Sequence, residues 1–130
     1  LVDVDAISAD VVDAAVRIHR GLGPGLLESV YETVLAADMV RRGHKVDRQR
    51  PVDISFDGMH FPSAFRVDLL IDDSLVVEIK SVEKLTGAHA KQVLTYLRLL
   101  DQPLGLLLNF SGETMKEGIR RLANNHRSLR

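Results

Sequence analysis

The residues best placed to do chemistry lie between Phe65 and Lys80. The segment reads Phe65-Arg66-Val67-Asp68-Leu69-Leu70-Ile71, then Asp72-Asp73-Ser74, then Leu75-Val76-Val77-Glu78-Ile79-Lys80. Two apolar runs flank a short polar turn, the pattern of an antiparallel strand pair, and each run carries an acid. Side chains alternate along a strand, so Glu78 and Lys80 share a face. A three-residue loop sets Ile71 opposite Leu75 and Asp68 opposite Glu78; a two-residue loop sets Asp68 opposite Val77. In the first register the two acids stand with Cβ atoms ~5 Å apart. Their charges then repel by about 3 kcal/mol at an effective dielectric of roughly 20. A hard divalent cation would offset this, since Mg²⁺ takes one or two carboxylates together with waters and phosphate oxygens. Lys80 could then hold a phosphate or an activated water. The competing solution is a lattice of ion pairs among Arg66, Asp68, Glu78 and Lys80 on one strand face. Spacing alone leaves both open.

A third acid, Glu28, precedes Tyr31, Leu35 and Met39 at helical spacing, on a stripe expected to face the core. A carboxylate there needs a partner, a hydrogen bond or a metal; alternatively it is a partly buried Glu favoured by a helix N-terminus. Gln92 and Tyr96 lie one turn apart at the edge of another apolar helix stripe, with His89 on the same edge. An amide could orient a water or phosphate, and a phenol could bond a phosphate oxygen, although an ordinary amphipathic boundary looks the same. His19 is read as a structural hydrogen bonder, and His44, His60 and His126 show no metal-type spacing. Nothing resembles a nucleophile elbow. Gly21, Gly23 and Gly25 follow a helix rather than a strand, so they are not a dinucleotide fingerprint.

The surrounding elements follow from periodicity. Ala9 to Leu22 reads as a helix capped by Ser8, with Val11, Ala15, Ile18 and Leu22 on its inner stripe. Pro24 is expected in the first turn of a second helix that runs to about Arg42 and ends at Gly43. Lys45 to Phe56 alternates as a strand, and Pro51 places it at an edge or bulge. Asp57-Gly58 marks a hairpin turn. Met59 to Ile71 returns, interrupted by Pro62, and Leu75 to Lys80 is a third antiparallel strand. Gly87 to Leu100 is helical, with Thr86 as its cap. Leu104 to Phe110 is a nearly continuous apolar run, as in a strand buried on both faces. Thr114 to Leu122 is expected to be a final helix, with Thr114 and Glu117 at capping-box spacing.

The bulk properties fit one domain over residues 1–130, with 45% hydrophobic residues as in a soluble globular protein. The absence of cysteine excludes disulfides, zinc–thiolate sites and thiol nucleophiles, and is compatible with a reducing cytosol. No apolar run reaches membrane-spanning length. The start is not of signal-peptide type, and its lack of Met suggests processing or trimming. A net charge of −1 gives no global basic field. Two local basic clusters, Arg41/Arg42/Lys45/Arg48/Arg50 and Arg120/Arg121/Arg127/Arg130, are read as solvated faces.

Together these residues resemble the PD-(D/E)XK nuclease superfamily, in which an Asp on the second strand and Glu-x-Lys on the third hold a metal and the scissile phosphate. Asp68 and Glu78-Ile79-Lys80 occupy those places, and Glu28 matches the Glu that many members carry on the first core helix. Gln92-Val93-Leu94-Thr95-Tyr96 is similar to the Gln-x-x-x-Tyr pattern of RecB-type members. The closer resemblance is to small bacterial and archaeal proteins called GxxExxY proteins, through Gly25-Leu26-Leu27-Glu28-Ser29-Val30-Tyr31, its preceding Ile18–Gly25 context, Leu107-Leu108-Asn109-Phe110 and Gly118-Ile119-Arg120-Arg121. One departure is that Val67, not Pro, precedes Asp68.

The resemblance implies an α/β, restriction-endonuclease-like αβββαβ core: a central mixed sheet flanked by helices, with an extra N-terminal helix and a C-terminal helix. It implies metal-dependent phosphodiester hydrolysis. Asp68, Glu78 and the Ile79 carbonyl would bind Mg²⁺ or Mn²⁺, and Glu28 would bind directly or through water. Lys80 would act on the phosphate or the water, and Gln92 and Tyr96 would orient substrate. The expected partner is nucleic acid, DNA ahead of RNA, in a cytoplasmic protein of repair, recombination or defence with no membrane association. A homodimer or a place in a larger complex is left open, because no motif specifies either. The alternative is a nuclease fold that binds nucleic acid without cutting it.

Overall fold

In a computed structural model, described here for residues 2–125, helix α1 (Val4–Leu22) begins earlier than its apolar stripe predicts. Asp3, not Ser8, is the N-cap: its Oδ1 accepts the N–H groups of Asp5 and Ala6, each at 3.1 Å. Ser8 is instead buried on the inner face with Ile7, Val11, Ala15 and Ile18. Helix α2 (Glu28–Arg41) starts later than expected, and Pro24 lies in the preceding loop rather than in its first turn. That loop needs left-handed backbone on both sides of the proline, at Gly23 (φ 77°) and Gly25 (φ 91°). The Tyr31 hydroxyl fastens it, donating to the Gly23 carbonyl at 2.6 Å and accepting the Leu26 N–H at 3.1 Å. The Tyr31 ring stacks on Phe110 with centroids 4.3 Å apart.

Five strands follow the order β1 (Val46–Phe56), β2 (Met59–Ile71), β3 (Leu75–Lys80), β4 (Leu104–Asn109) and β5 (Ile119–Ala123), adjacent in that sequence. β3 and β4 are parallel and are joined by α3 (Gly87–Leu100); the other neighbours are antiparallel. This is a mixed α/β sheet with helices on both faces. One apolar layer joins α1 and α2 to Leu69, Ile71, Val77, Ile79 and Leu106. The other joins Val93 and Leu97 of α3 to Val67, Leu70, Val76 and Leu107. A Cβ on Gly105 would come within 2.9 Å of Val93, so the bare backbone lets α3 lie directly on β4.

The expected C-terminal helix is absent. Residues Lys116–Gly118 form one 3₁₀ turn, and Ile119–Ala123 form strand β5, with Leu108 opposite Ile119 and Leu106 opposite Arg121. Two causes override the helical spacing. The buried strand β4 needs hydrogen-bond partners along the edge that β3 leaves open. Gly118 also packs where a Cβ would sit 1.9 Å from the Asn109 carbonyl oxygen, which fixes the chain against the end of β4. Arg127, Arg130 and His126 lie outside the described residues.

The β1–β2 hairpin turns at Asp57 and Gly58, both left-handed (φ 51° and 75°), as the sequence predicts. Its outer half is largely exposed, with Val52 and Ile54 of β1 half-buried. The first basic cluster is paired rather than simply solvated: Arg41 and Arg42 meet Asp38, Lys45 meets Asp73, Arg48 meets Glu32 and Arg50 meets Asp47. His44 is clamped between α1 and the β2–β3 turn, with Nε2 at 2.7 Å from Asp10 Oδ2 and Nδ1 at 2.5 Å from Asp72 Oδ2. Among the described residues no helix is long and apolar enough to cross a membrane.

Candidate active site

The β2–β3 turn has the three-residue register: Ile71 faces Leu75, Leu70 faces Val76 and Leu69 faces Val77. There the backbone ladder stops, and side chains replace it. The Asp68 N–H donates to Glu78 Oε1 at 3.1 Å, and the Ile79 N–H donates to Asp68 Oδ2 at 2.8 Å. Val67 and Leu70, three residues apart, both join the α3-side core, so the two-residue alternation of β2 breaks at this point. The N–H and C=O of one strand residue face the same neighbour. The Ile79 carbonyl therefore faces the gap between β2 and β3, while the Lys80 carbonyl faces β4 and accepts the Phe110 N–H at 3.0 Å.

Glu78 is 4% exposed. Burial, and after it the charge of Asp68, push its carboxyl up to about 9; the nearby Lys80 ammonium pulls the other way. Tyr96 of α3 looks onto the same pair. Its phenol is raised by burial and then by the charges of Glu78 and Asp68, and its ring stacks on Phe65 at 4.2 Å. The ion-pair lattice does not form: among the described residues no bridge within 4.0 Å joins Arg66 or Lys80 to either acid. Burial explains this for Glu78, because an acid held in its protonated form is a poor partner for a guanidinium or an ammonium.

The remaining candidates are placed around the pair. Glu28 does not face the core with Tyr31, Leu35 and Met39. It is exposed at the start of α2, where its Oε2 accepts the Ser81 N–H at 3.1 Å. Ser81 Oγ in turn donates to the Leu26 carbonyl at 2.9 Å. These bonds tie the Gly25–Tyr31 segment to the residue after Lys80 and form one wall of an open groove lined by Leu26, Glu28, Ser81 and Ser111. Glu28 is not brought into a cluster with Asp68 and Glu78; among the described residues no three His, Asp or Glu side chains are arranged to share a metal. Gln92 is exposed on α3, one turn before Tyr96. His89 Nδ1 accepts the Thr86 N–H at 3.0 Å, so it helps to cap α3.

Glu32 and Gln49 are not among the residues that the sequence singles out, and Arg48 enters there only as part of a solvated basic cluster. Glu32 is 7% exposed and accepts from Arg48 Nη2 at 3.1 Å and from Gln49 Nε2 at 2.5 Å. The same Gln49 nitrogen donates to Asp68 Oδ1 at 3.1 Å. Glu32 had one available signal, its position four residues after Glu28 on the same helix face. Gln49 had none, because its role depends on a left-handed backbone (φ 49°) that a non-glycine residue does not announce.

The sheet order and the acid pair at the end of its β2–β3 ladder define a restriction-endonuclease-like α/β protein. A sequence model of the PD-(D/E)XK nuclease superfamily matches residues 5–122, and the chain belongs to that superfamily. No curated protein and no solved structure matches. Superfamily membership implies nuclease chemistry with a divalent metal. The residues present fit one: two carboxylates lie side by side, burial of one makes its bare anion unfavourable, and a main-chain carbonyl faces the same gap.

Proposed function

We propose that this chain is a divalent-metal-dependent nuclease of the GxxExxY kind that hydrolyses phosphodiester bonds, DNA in preference to RNA, in the cytoplasm. The observation that carries the reading is the mutual hold of Asp68 and Glu78, in which each side chain takes an N–H that strand pairing leaves free. Asp68, Glu78 and the Ile79 carbonyl would hold Mg²⁺ or Mn²⁺. When bound, such an ion polarises the phosphate and lowers the pKa of its water.

The chain's own groups do the rest. Lys80 is close enough to Glu78 to lower its proton affinity, and its ammonium meets the attacked phosphate or holds the nucleophilic water. Tyr96, its ring fixed by Phe65, presents its hydroxyl beside the pair. Gln92 offers an amide from the same helix, and Glu28 reaches the site through water from the groove wall.

A second reading is a nuclease fold that binds nucleic acid without cutting it, as a subunit of a larger complex. The two-acid cluster and the pairing of the first basic cluster with acids favour it. A cleavage screen with Mg²⁺ and Mn²⁺ over single-stranded, duplex and branched DNA and RNA separates the two. The nuclease reading expects metal-dependent products from the parent and a loss of about 10²-fold or more in Lys80→Ala. Undiminished cleavage by Lys80→Ala or Glu78→Ala would exclude these roles, and no cleavage of any substrate would favour the second reading.

A further inference from the structure

We propose that Gln49 is a positioning residue for the candidate metal site: its amide, braced by Glu32, sets the rotation of the Asp68 carboxylate. The inference rests on the reading of Asp68 as a cation ligand. Gln49 stands opposite Asp68 on β1. Arg48 pairs with Leu69 and Arg50 with Val67, but Gln49 between them leaves the ladder. Its backbone is left-handed, with φ 49°, a conformation rare for a residue with a side chain and strained inside a strand.

The amide geometry gives that departure a purpose. Gln49 Nε2 lies 2.5 Å from Glu32 Oε1 and 3.1 Å from Asp68 Oδ1. Both neighbours are carboxylates, so the amide must present its NH₂, one proton to each. Glu32 is in turn held by Arg48, through Nε at 3.3 Å and Nη2 at 3.1 Å. The run Arg48–Glu32–Gln49 thus ends on one oxygen of Asp68, while the Ile79 N–H holds the other at 2.8 Å. With one donor on each oxygen, Asp68 is locked in rotation and keeps further lone pairs for a cation. Partners of this outer kind commonly set metal affinity by 10- to 100-fold.

Gln49→Gly is the discriminating variant, because glycine adopts the left-handed backbone without strain while the amide is lost. Calorimetric titration of the full chain with Mn²⁺ should show affinity about 10- to 100-fold weaker than the parent's. The thermal unfolding midpoint should be unchanged or higher, which a purely structural role would not give. Should Gln49→Gly lower the midpoint, Gln49→Asn is measured instead: it tolerates the backbone but is too short to reach both carboxylates, and the same loss is expected. Affinity within twofold of the parent in the well-folded variant overturns the positioning role alone. No Mn²⁺ uptake by the parent overturns it together with the metal-site reading.

Discussion

Asp68 and Glu78 each take a backbone N–H from the other's strand: the Asp68 N–H donates to Glu78, and Asp68 accepts the N–H of Ile79, the residue after Glu78. Where β2 and β3 stop pairing, their backbone donors turn to these side chains, so the acids are held at the mouth of a gap between strands. The arrangement fixes both carboxyl groups, and burial together with the charge of Asp68 favours the protonated form of Glu78.

The metal-free protein should lose stability as pH rises. The Glu78 carboxyl is raised from an ordinary 4.5 to about 9 by burial and by Asp68. A raised folded-state value gives a stabilising contribution that is complete below about 4.5 and is lost on the way up to about 9. Glu78→Gln should remove this dependence and gain on the parent by about 1 kcal/mol for each pH unit inside that window. Urea unfolding at pH 5.5, 7 and 8.5 in the presence of chelator measures it. Parallel curves for parent and variant would be inconsistent with the burial effect.

His44 should act as a pH-dependent clamp. Burial disfavours its charge, but the hydrogen bonds and charges of Asp72 and Asp10 outweigh burial and raise its pKa above 6.5. Both ring nitrogens face carboxylates, so the clamping form is the imidazolium. Its contribution is complete below about 6.5 and fades as pH passes through the raised value. His44→Ala should cost about 1–3 kcal/mol at pH 6 and visibly less at pH 9. Chemical denaturation at the two pH values checks this, and an equal cost at both would rule out the charged clamp.

Gly118→Ala should damage the fold from the C-terminal side. A Cβ there meets the Asn109 carbonyl oxygen at 1.9 Å, which only backbone movement relieves. The expected loss is about 1–3 kcal/mol, or more. Asn109 also holds Val82, with its Oδ1 accepting the Val82 N–H at 3.0 Å and its Nδ2 donating to the Val82 carbonyl at 2.9 Å. The strain should therefore reach the loop after Lys80. A denaturation midpoint equal to the parent's would show that the contact is easily relaxed.

Much of this architecture is legible in the residues, and the exceptions share a cause. The strand pair around Asp72–Ser74 is readable because apolar runs flanking a polar turn are a local signal, although that signal leaves two registers open and the structure selects the three-residue one. The β1–β2 turn is readable because Asp57-Gly58 is a local signal. The misread termini depend on distant partners. Ile119 and Leu122 have helical spacing, but the open edge of β4 turns them into a strand. Pro24 suits a helix start, but the Tyr31 hydroxyl, with its ring stacked on Phe110, holds the 23–26 loop outside the helix. Within the site, the meeting of Asp68 and Glu78 belongs to one of the two registers that the sequence leaves open, and Tyr96 beside them follows from the α3 stripe. The turn of Glu28 toward Ser81, and the bridge from Glu32 through Gln49, arise from how α2 crosses the sheet, which periodicity does not encode.

The most direct test is calorimetric titration of the parent chain with Mn²⁺ at pH 7 in two buffers of different ionisation enthalpy. A cation seated between Asp68 and Glu78 must displace the proton that burial keeps on Glu78, so binding should release about one proton, and Glu78→Gln should weaken the binding and abolish the release. Binding without proton release, equal binding by Glu78→Gln, or no binding at all would contradict a metal centre at the end of the β2–β3 ladder.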